Sequence, residues 1–512
     1  MFSLLESVGP ALPPAAFAEA VSMSASLPTP VLAIGVPLLF VLAYLLVMLE
    51  EVTHMRKSKP VMLAAGLIWT LIAIFPPMDG PEHAEAVSPE SGVEEQIEDG
   101  DREAFGPSHA AIGSEELQAA RERVGEAVKH YLMEYAELFL FLLAAMTYVN
   151  AMEERKVFDV LRDRLIGSGM GYRGLFWATG FIAFFLSPFL DNMTTALVVC
   201  AALTTLGRDS PRFVALGCIN LVIAANAGGA FSPFGDITTL LVWQAGHLPF
   251  QDFFVLFVPS LVNFLVPAAC MHWAIPKGRP SAPEVESRLR RGAVGVIVLF
   301  ACTIITAVCM HSFLHLPPVL GMMTGLAYLK LYSYYLTITY KNGRRSNPDI
   351  VGRDAEDVSP FDSFKLVARA EWDTLLFFYG VTLCVGGLGY IGYLELAADY
   401  FYGSWGASTA NIAVGFLSAV VDNIPVMMAV LEMDPVGMTE GQWLMVTLTA
   451  GVGGSMLSIG SAAGVALMGQ SRGAYTFGRH LAWTPVIILG YAASVAVHFW
   501  WNAHLFAETY HP

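Results

Sequence analysis

The chain is a succession of long apolar runs, near residues 31–49, 61–77, 130–151, 174–206, 214–245, 253–274, 293–311, 317–337, 373–395, 405–431, 443–468 and 481–503. Runs of this length have one stable home, the hydrocarbon core of a bilayer, which about 20 helical residues cross. In that medium every backbone amide must find a partner inside the protein. The expected fold class is therefore an all-α polytopic membrane protein. Composition agrees: 55% of the 512 residues are hydrophobic and 14% are charged, against about 25% charged in soluble domains. Such a chain cannot cover a surface in water, which excludes a soluble enzyme and a disordered protein. The net charge of −16 excludes a nucleic-acid partner. The cysteines lie in apolar runs without a CxxC pair and read as small core residues.

Lys and Arg mark cytoplasmic loops. Arg56, Lys57 and Lys59 place 51–60 inside. The acidic loop 78–129, with only Arg102, Arg121, Arg123 and Lys129 as bases, belongs outside and is read as a solvated surface with a short helix near 114–127. Residues 152–173, with Arg155, Lys156, Arg162, Arg164 and Arg173, return inside. A single crossing by 174–206 would then put Arg208 and Arg212 outside. That run is interrupted at Ser187-Pro188-Phe189-Leu190-Asp191-Asn192. Each arm reaches roughly 22 Å, short of the roughly 30 Å core. A re-entrant hairpin on the cytoplasmic side satisfies both facts. The run 405–431 repeats the pattern around Ser418-Ala419-Val420-Val421-Asp422-Asn423-Ile424-Pro425, but its flanks 396–404 and 432–442 hold no Lys or Arg, so it opens outside. The expected topology has ten full spans, two hairpins and both termini outside, which puts 24 of the 28 Lys and Arg residues inside. Residues 1–30 read as an outer segment or the remnant of a signal ending at Ala16-Phe17-Ala18.

The hairpins are related: Ser187, Asp191 and Asn192 match Ser418, Asp422 and Asn423 at one offset of 231. Each is followed by an apolar run with a glycine-rich break. The first reads Asn226-Ala227-Gly228-Gly229-Ala230-Phe231-Ser232-Pro233-Phe234-Gly235-Asp236, and the second Gly453-Gly454-Ser455-Met456-Leu457-Ser458-Ile459-Gly460-Ser461. Matching interrupted segments with opposite flanking charge are the signature of an inverted-topology repeat and point to a transporter's binding site. The expected organisation is two spans over 31–77, repeat 1 over 130–274 with hairpin 174–206 and broken helix 214–245, and a cytoplasmic linker 275–292. Repeat 2 follows over 293–503, with cytoplasmic loop 338–372, hairpin 405–431 and broken helix 443–468.

Asp191, Asp236 and Asp422 lie in these breaks. A carboxylate at mid-membrane costs about 3 kcal/mol or more, so it is a functional candidate by default; the alternative role is capping a half-helix. Carboxylates, Asn192, Asn226 and Asn423, the hydroxyls of Thr194, Thr195, Ser232, Thr238, Thr239, Ser418, Ser455, Ser458 and Ser461, and freed carbonyls form a hard-oxygen set that suits a small hard cation. A carboxylate that holds either a proton or a cation is the simplest exchange device. No Lys or Arg lies in the breaks, which disfavours an anionic substrate. His130, Glu134 and Glu137 share one helix face, as a proton path, a pH-responsive cluster or an interfacial stripe. His247 is a further titratable candidate or a plain loop residue.

Ser187–Thr195, Asn226–Thr239 and Val421–Pro425 resemble the corresponding motifs of NhaD-type sodium/proton antiporters, within the wider ion transporter superfamily. The resemblance covers nearly all of 31–503. It implies export of Na⁺, and of Li⁺, in exchange for H⁺ across a bacterial inner membrane, with no cofactor. It further implies a homodimer and an elevator-like motion. The positions it matches are Asp191, Asn192, Asn226, Asp236, Thr238, Thr239, Ser418, Asn423, Ser458 and Ser461, with Na⁺ in the Asp191/Asn192/Asn226/Asp236 region. Ser461 stands where an acid matching Asp236 would be, so the two halves differ chemically. The other readings are a superfamily carrier for arsenite or an organic anion and, more remotely, an intramembrane aspartyl protease. For the protease, the glycine pattern around Asp236 is incomplete.

Overall fold

The computed structural model describes residues 30–53, 55–77, 114–280, 287–346 and 362–507. Most of the expected N-terminal segment, residues 78–113 of the acidic loop, 281–286 of the linker and 347–361 of the second cytoplasmic loop lie outside the described residues. The described residues are helical and contain no strand. The helices used below are α1 (Pro30–Met48), α2 (Ser58–Ile74), α3 (Ser114–Glu154), α4 (Val157–Ile166), α5 (Tyr172–Leu186), α6 (Asn192–Leu206), α7 (Pro211–Gly229), α8 (Ile237–Gln244) and α9 (Phe257–His272). They continue with α10 (Ala293–Leu314), α11 (Pro318–Ser346), α12 (Trp372–Tyr390), α13 (Ala407–Ser418), α14 (Asn423–Met433), α15 (Glu440–Gly453), α16 (Ala462–Gln470), α17 (Phe477–Leu481) and α18 (Thr484–Trp501).

Among the described residues, seven helices are long and apolar enough to cross a membrane: α1, α3, α7, α9 with its preceding turn, α10, α12 and α18. The shorter apolar helices are α2 and the four arms α5, α6, α13 and α14. The protein is thus an all-α polytopic membrane protein. One local expectation changes. The short helix placed near 114–127 is continuous with the following span in the 41-residue α3. No proline, and only Gly125, interrupts its residues, and Glu115 and Glu116 occupy the first turn, where negative charge stabilises a helix N-terminus.

The chain separates into two compact units, Met1–Glu134 with Tyr379–Leu396, and Tyr135–Phe378 with Ala397–Pro512. In the first, glycines of α12 meet α2 and α3 closely: a Cβ on Gly380 would lie 2.6 Å from Val61, and one on Gly386 2.6 Å from Tyr131. Small residues let helices approach where lipid supplies no hydrophobic drive. Trp69 Nε1 donates to the Leu383 carbonyl at 2.8 Å across the same contact. Ile34, Leu38, Leu42 and Leu45 form an exposed apolar stripe on α1.

The second unit is built around α7, which is 94% buried. Helices α5, α6, α9, α15 and α16 pack on it. The packing is reciprocal. Helix α8 contacts α14 and α15, while α16 contacts α6 and α7. Two glycine contacts recur at equivalent places. A Cβ on Gly228 would lie 2.2 Å from the Phe184 carbonyl oxygen, and one on Gly453 would lie 2.2 Å from the Gly415 carbonyl oxygen. Only a residue without a side chain permits backbones this close. Cys200, Cys218 and Cys384 are buried as expected, whereas Cys270, Cys302 and Cys309 are exposed. They sit on α9 and α10, which are 44% and 28% buried and have apolar faces to spare.

Candidate functional site

Each interrupted run breaks at its motif. Helix α5 ends at Leu186, before Pro188, and α6 begins at Asn192. Asp191 caps α6: its carboxylate accepts from Thr194 N at 2.8 Å and from Thr194 Oγ1 at 2.6 Å. Of the two roles open to this acid, capping is the one its contacts display. In the second hairpin α13 ends at Ser418 and α14 begins at Asn423; Asp422 occupies the cap position without a side-chain cap hydrogen bond to the helix.

Asp236 is where the elements converge. It is buried and caps α8, with Oδ1 accepting from Thr238 N at 3.1 Å. Asn192 Nδ2, from the first hairpin tip, donates to Asp236 Oδ2 at 2.7 Å. Asn423 Nδ2, from the second tip, donates to both carboxylate oxygens at 3.3 Å. Buried charge is tolerated only when hydrogen bonds replace water, and here they come from three directions. Ser187 Oγ donates to Asn192 Oδ1 at 2.7 Å and so orients that carboxamide.

A second contact ties the breaks together, Asn226 Nδ2 donating to Ser455 Oγ at 2.9 Å. Asn226 Oδ1 and Ser458 Oγ are buried without a protein hydrogen-bond partner, a condition that a water or an ion relieves. Helix α15 approaches the same carboxylate at Gly451, where a Cβ would be in ordinary contact, 3.5 Å from Asp236 Oδ2 and 3.6 Å from Thr238 Oγ1. The breaks thus supply a buried carboxylate and several neutral oxygens, a donor set in keeping with a small hard cation.

Other candidates serve the backbone. Thr239 Oγ1 donates to the Ser232 and Asp236 carbonyls at 2.8 and 2.6 Å, and Ser232 Oγ to the Pro188 carbonyl at 2.9 Å. Thr195 Oγ1 donates to the Leu190 carbonyl at 3.4 Å. Ser418 Oγ donates to the Ala450 carbonyl at 2.7 Å, and Ser461 caps α16 by accepting from Gly464 N. Beside the first break, Phe185, Phe189, Phe231, Phe234, Phe254 and Phe257 line a mostly apolar cavity of about 200 Å³.

His130 and Glu134 pair at 3.2 Å on an exposed face of α3, and Glu137 is half-buried one turn later. His247 stacks on buried Trp443, ring centroids 3.8 Å apart. Burial holds its imidazole below the ordinary histidine value, and the Asp434 charge opposes that. Sequence reasoning missed His480, which is buried and bonded through Nε2 to the Ser455 carbonyl at 2.9 Å. Nothing local marks it, because it lies beyond the last break and reaches the site only through folding.

A family model described as citrate transporter matches residues 23–451. The protein named Na(+)/H(+) antiporter NhaD from Alkalimonas amylolytica is 52% identical over 477 residues, 91% of this chain and 90% of the relative. Its namesake from Vibrio parahaemolyticus is 54% identical over 446 residues, 86% of this chain and 98% of the relative. Sodium/proton antiporter 1 of Arabidopsis thaliana is 32% identical over 388 residues, 72% of this chain and 63% of the relative.

Proposed function

Because this chain belongs to the citrate-transporter family, and within it stands with the NhaD-type Na⁺/H⁺ antiporters, we infer that it is a secondary antiporter exchanging Na⁺ for H⁺. The observation that carries the mechanism is the convergence of Asn192, Asn423 and Thr238 N on the one carboxylate of Asp236. With a proton on Asp236 the site is neutral. With the proton gone, the carboxylate and the spare oxygens of Asn226 and Ser458 can take a dehydrated Na⁺. One site that holds either ion, but not both, couples their opposite fluxes. Asp191 steadies the first hairpin tip through Thr194, and Asp422 holds the matching cap position in the second.

The proposal extends to Li⁺ as a second substrate, a bacterial inner-membrane location with both termini outside, a homodimer, and alternating access by an elevator-like movement of the unit that carries both hairpins. The opposite orientation of the hairpins in the membrane belongs to it too. The family description favours a second reading, carriage of an organic anion such as citrate. The donor set of the breaks opposes it: carboxylate, carboxamide and hydroxyl groups meet there, and no Lys or Arg is part of either break. A protease reading needs two carboxylates sharing one water, whereas Asp191 is engaged by Thr194 and Asp236 by two asparagines.

Everted vesicles with a proton gradient test the reading. Addition of NaCl or LiCl at pH 7–9.5 should collapse the gradient reported by a ΔpH dye, and choline chloride should not. Loss of the response in Asp236→Ala, at equal protein level, places exchange at this carboxylate. No response of the wild-type protein to any alkali cation, together with uptake of citrate, would replace the antiporter reading with the anion carrier.

A further inference from the structure

The two helix breaks are held in different ways. The first is held by its own Thr239, on the Ser232 and Asp236 carbonyls, and by Ser232 on the Pro188 carbonyl of the first hairpin tip. The second is held by the segment that follows it. Two consecutive carbonyls of its unwound stretch, Ser455 and Met456, are bonded by His480 Nε2 at 2.9 Å and by Thr484 Oγ1 at 2.7 Å. A carbonyl only accepts, so Nε2 carries the proton. In the neutral ring Nδ1 is then an acceptor, and the Tyr475 hydroxyl lies 2.7 Å from it, fixing the tautomer. Tyr475 and His480 are both buried. The residue His480 holds is the one whose hydroxyl accepts from Asn226.

We propose that His480 is a positioning residue for ion exchange. Through the Ser455 carbonyl it sets the height of the second break, so that Ser455 Oγ meets Asn226 and the spare oxygens of Asn226 and Ser458 face the ion. Tyr475 holds the ring in the donating tautomer. The inference rests on the site reading above and adds to it a group that touches no ion. It also explains how a site with only one acid-bearing break stays ordered: the break that lacks an aspartate at position 461 is tethered from outside.

The test uses His480→Ala, His480→Gln and Tyr475→Phe, with Na⁺-dependent exchange in everted vesicles and hydrogen–deuterium exchange of the purified protein. Gln can present an N–H where Nε2 lies. His480→Ala should raise the Na⁺ concentration at half-maximal exchange about fivefold, with maximal rate per transporter within about twofold of wild type, as expected for one lost hydrogen bond that orients a ligand. His480→Gln should recover most of that loss, and Tyr475→Phe should show a smaller rise. In a Ser455→Ala background, where the link to Asn226 is already gone, His480→Ala should add no further rise. Amide exchange over residues 453–462 should quicken in His480→Ala and not over 228–236. An unchanged half-saturation with only less protein made, a Gln variant no better than Ala, or unchanged amide exchange over 453–462 would each overturn the proposal. Failure of the wild-type protein to exchange any alkali cation would instead sink the antiporter reading, while the amide exchange still decides whether the tether exists.

Discussion

Asp236 is a charge in a place where charge survives only if it is surrounded by donors. Hydrogen bonds to a charged group contribute about 1.5–3 kcal/mol, so Asn192→Ala and Asn423→Ala should each raise half-saturation for Na⁺ roughly tenfold or more. Asp236→Asn should abolish exchange while leaving protein levels near wild type, because the amide retains a capping oxygen. Flux with ²²Na⁺ at fixed pH separates these outcomes. Asp191 presents a sharper question. Asn caps a helix about as well as Asp, so Asp191→Asn preserves the α6 cap and removes only the charge. It should accumulate like wild type and exchange Na⁺ about tenfold less efficiently. Wild-type exchange in that variant would leave Asp191 with capping alone.

At the scale of elements, the breaks depend on close backbone approach. Gly228→Ala or Gly453→Ala would force a methyl to within 2.2 Å of a carbonyl oxygen, which the backbone cannot relieve by rotating a side chain. Both variants should lose most of their folded protein in detergent size-exclusion profiles, whereas Gly66→Ala, with nothing within 4 Å, should not. Helix α4 supplies a pH-dependent contact. Burial acts to raise the Asp163 carboxyl, but hydrogen bonds from Ser287 and Arg162 and the Arg162 charge hold it below the ordinary aspartate value. Ser287 N donates at 2.7 Å. A lowered folded value means stability that is present above about pH 4, the unfolded value, and is lost as pH falls through the folded one. Asp163→Asn should therefore lower the melting temperature in detergent at pH 7, and the gap to wild type should close as the pH is lowered below about 4.

At the scale of the whole molecule the proposal assigns each hairpin a direction. The proposal puts the loop after α6 on the cytoplasmic side and the loop after α14 outside. Single cysteines at Arg208 and at Val436, both exposed, in a background without the native cysteines, provide the measurement. A membrane-impermeant maleimide added to intact cells should label position 436 and spare 208, with the reverse in everted vesicles. Labelling of both from one side would remove the inverted arrangement, though not the geometry around Asp236.

Much of this was legible in the chain itself. Lipid imposes one secondary structure and a minimum length, so apolar runs such as 31–49 and 481–503 map directly onto helices. Proline and clustered glycine weaken a helix, so the interruptions at Ser187–Asp191 and Ala230–Asp236 were readable from local residue type. Even the donor chemistry was visible, as oxygen-bearing side chains where apolar ones were expected. These are short-range constraints, and a linear sequence states them directly. Which of three similar aspartates becomes the centre is a different kind of fact. Asn192 and Asn423 reach Asp236 from 44 and 187 residues away, and His480 reaches the second break only after α16 turns back. Convergence of this kind depends on how the half-helices cross at their glycines, so the tertiary structure alone decided that Asp236 receives the donors and that a histidine outside every motif holds the second break in place.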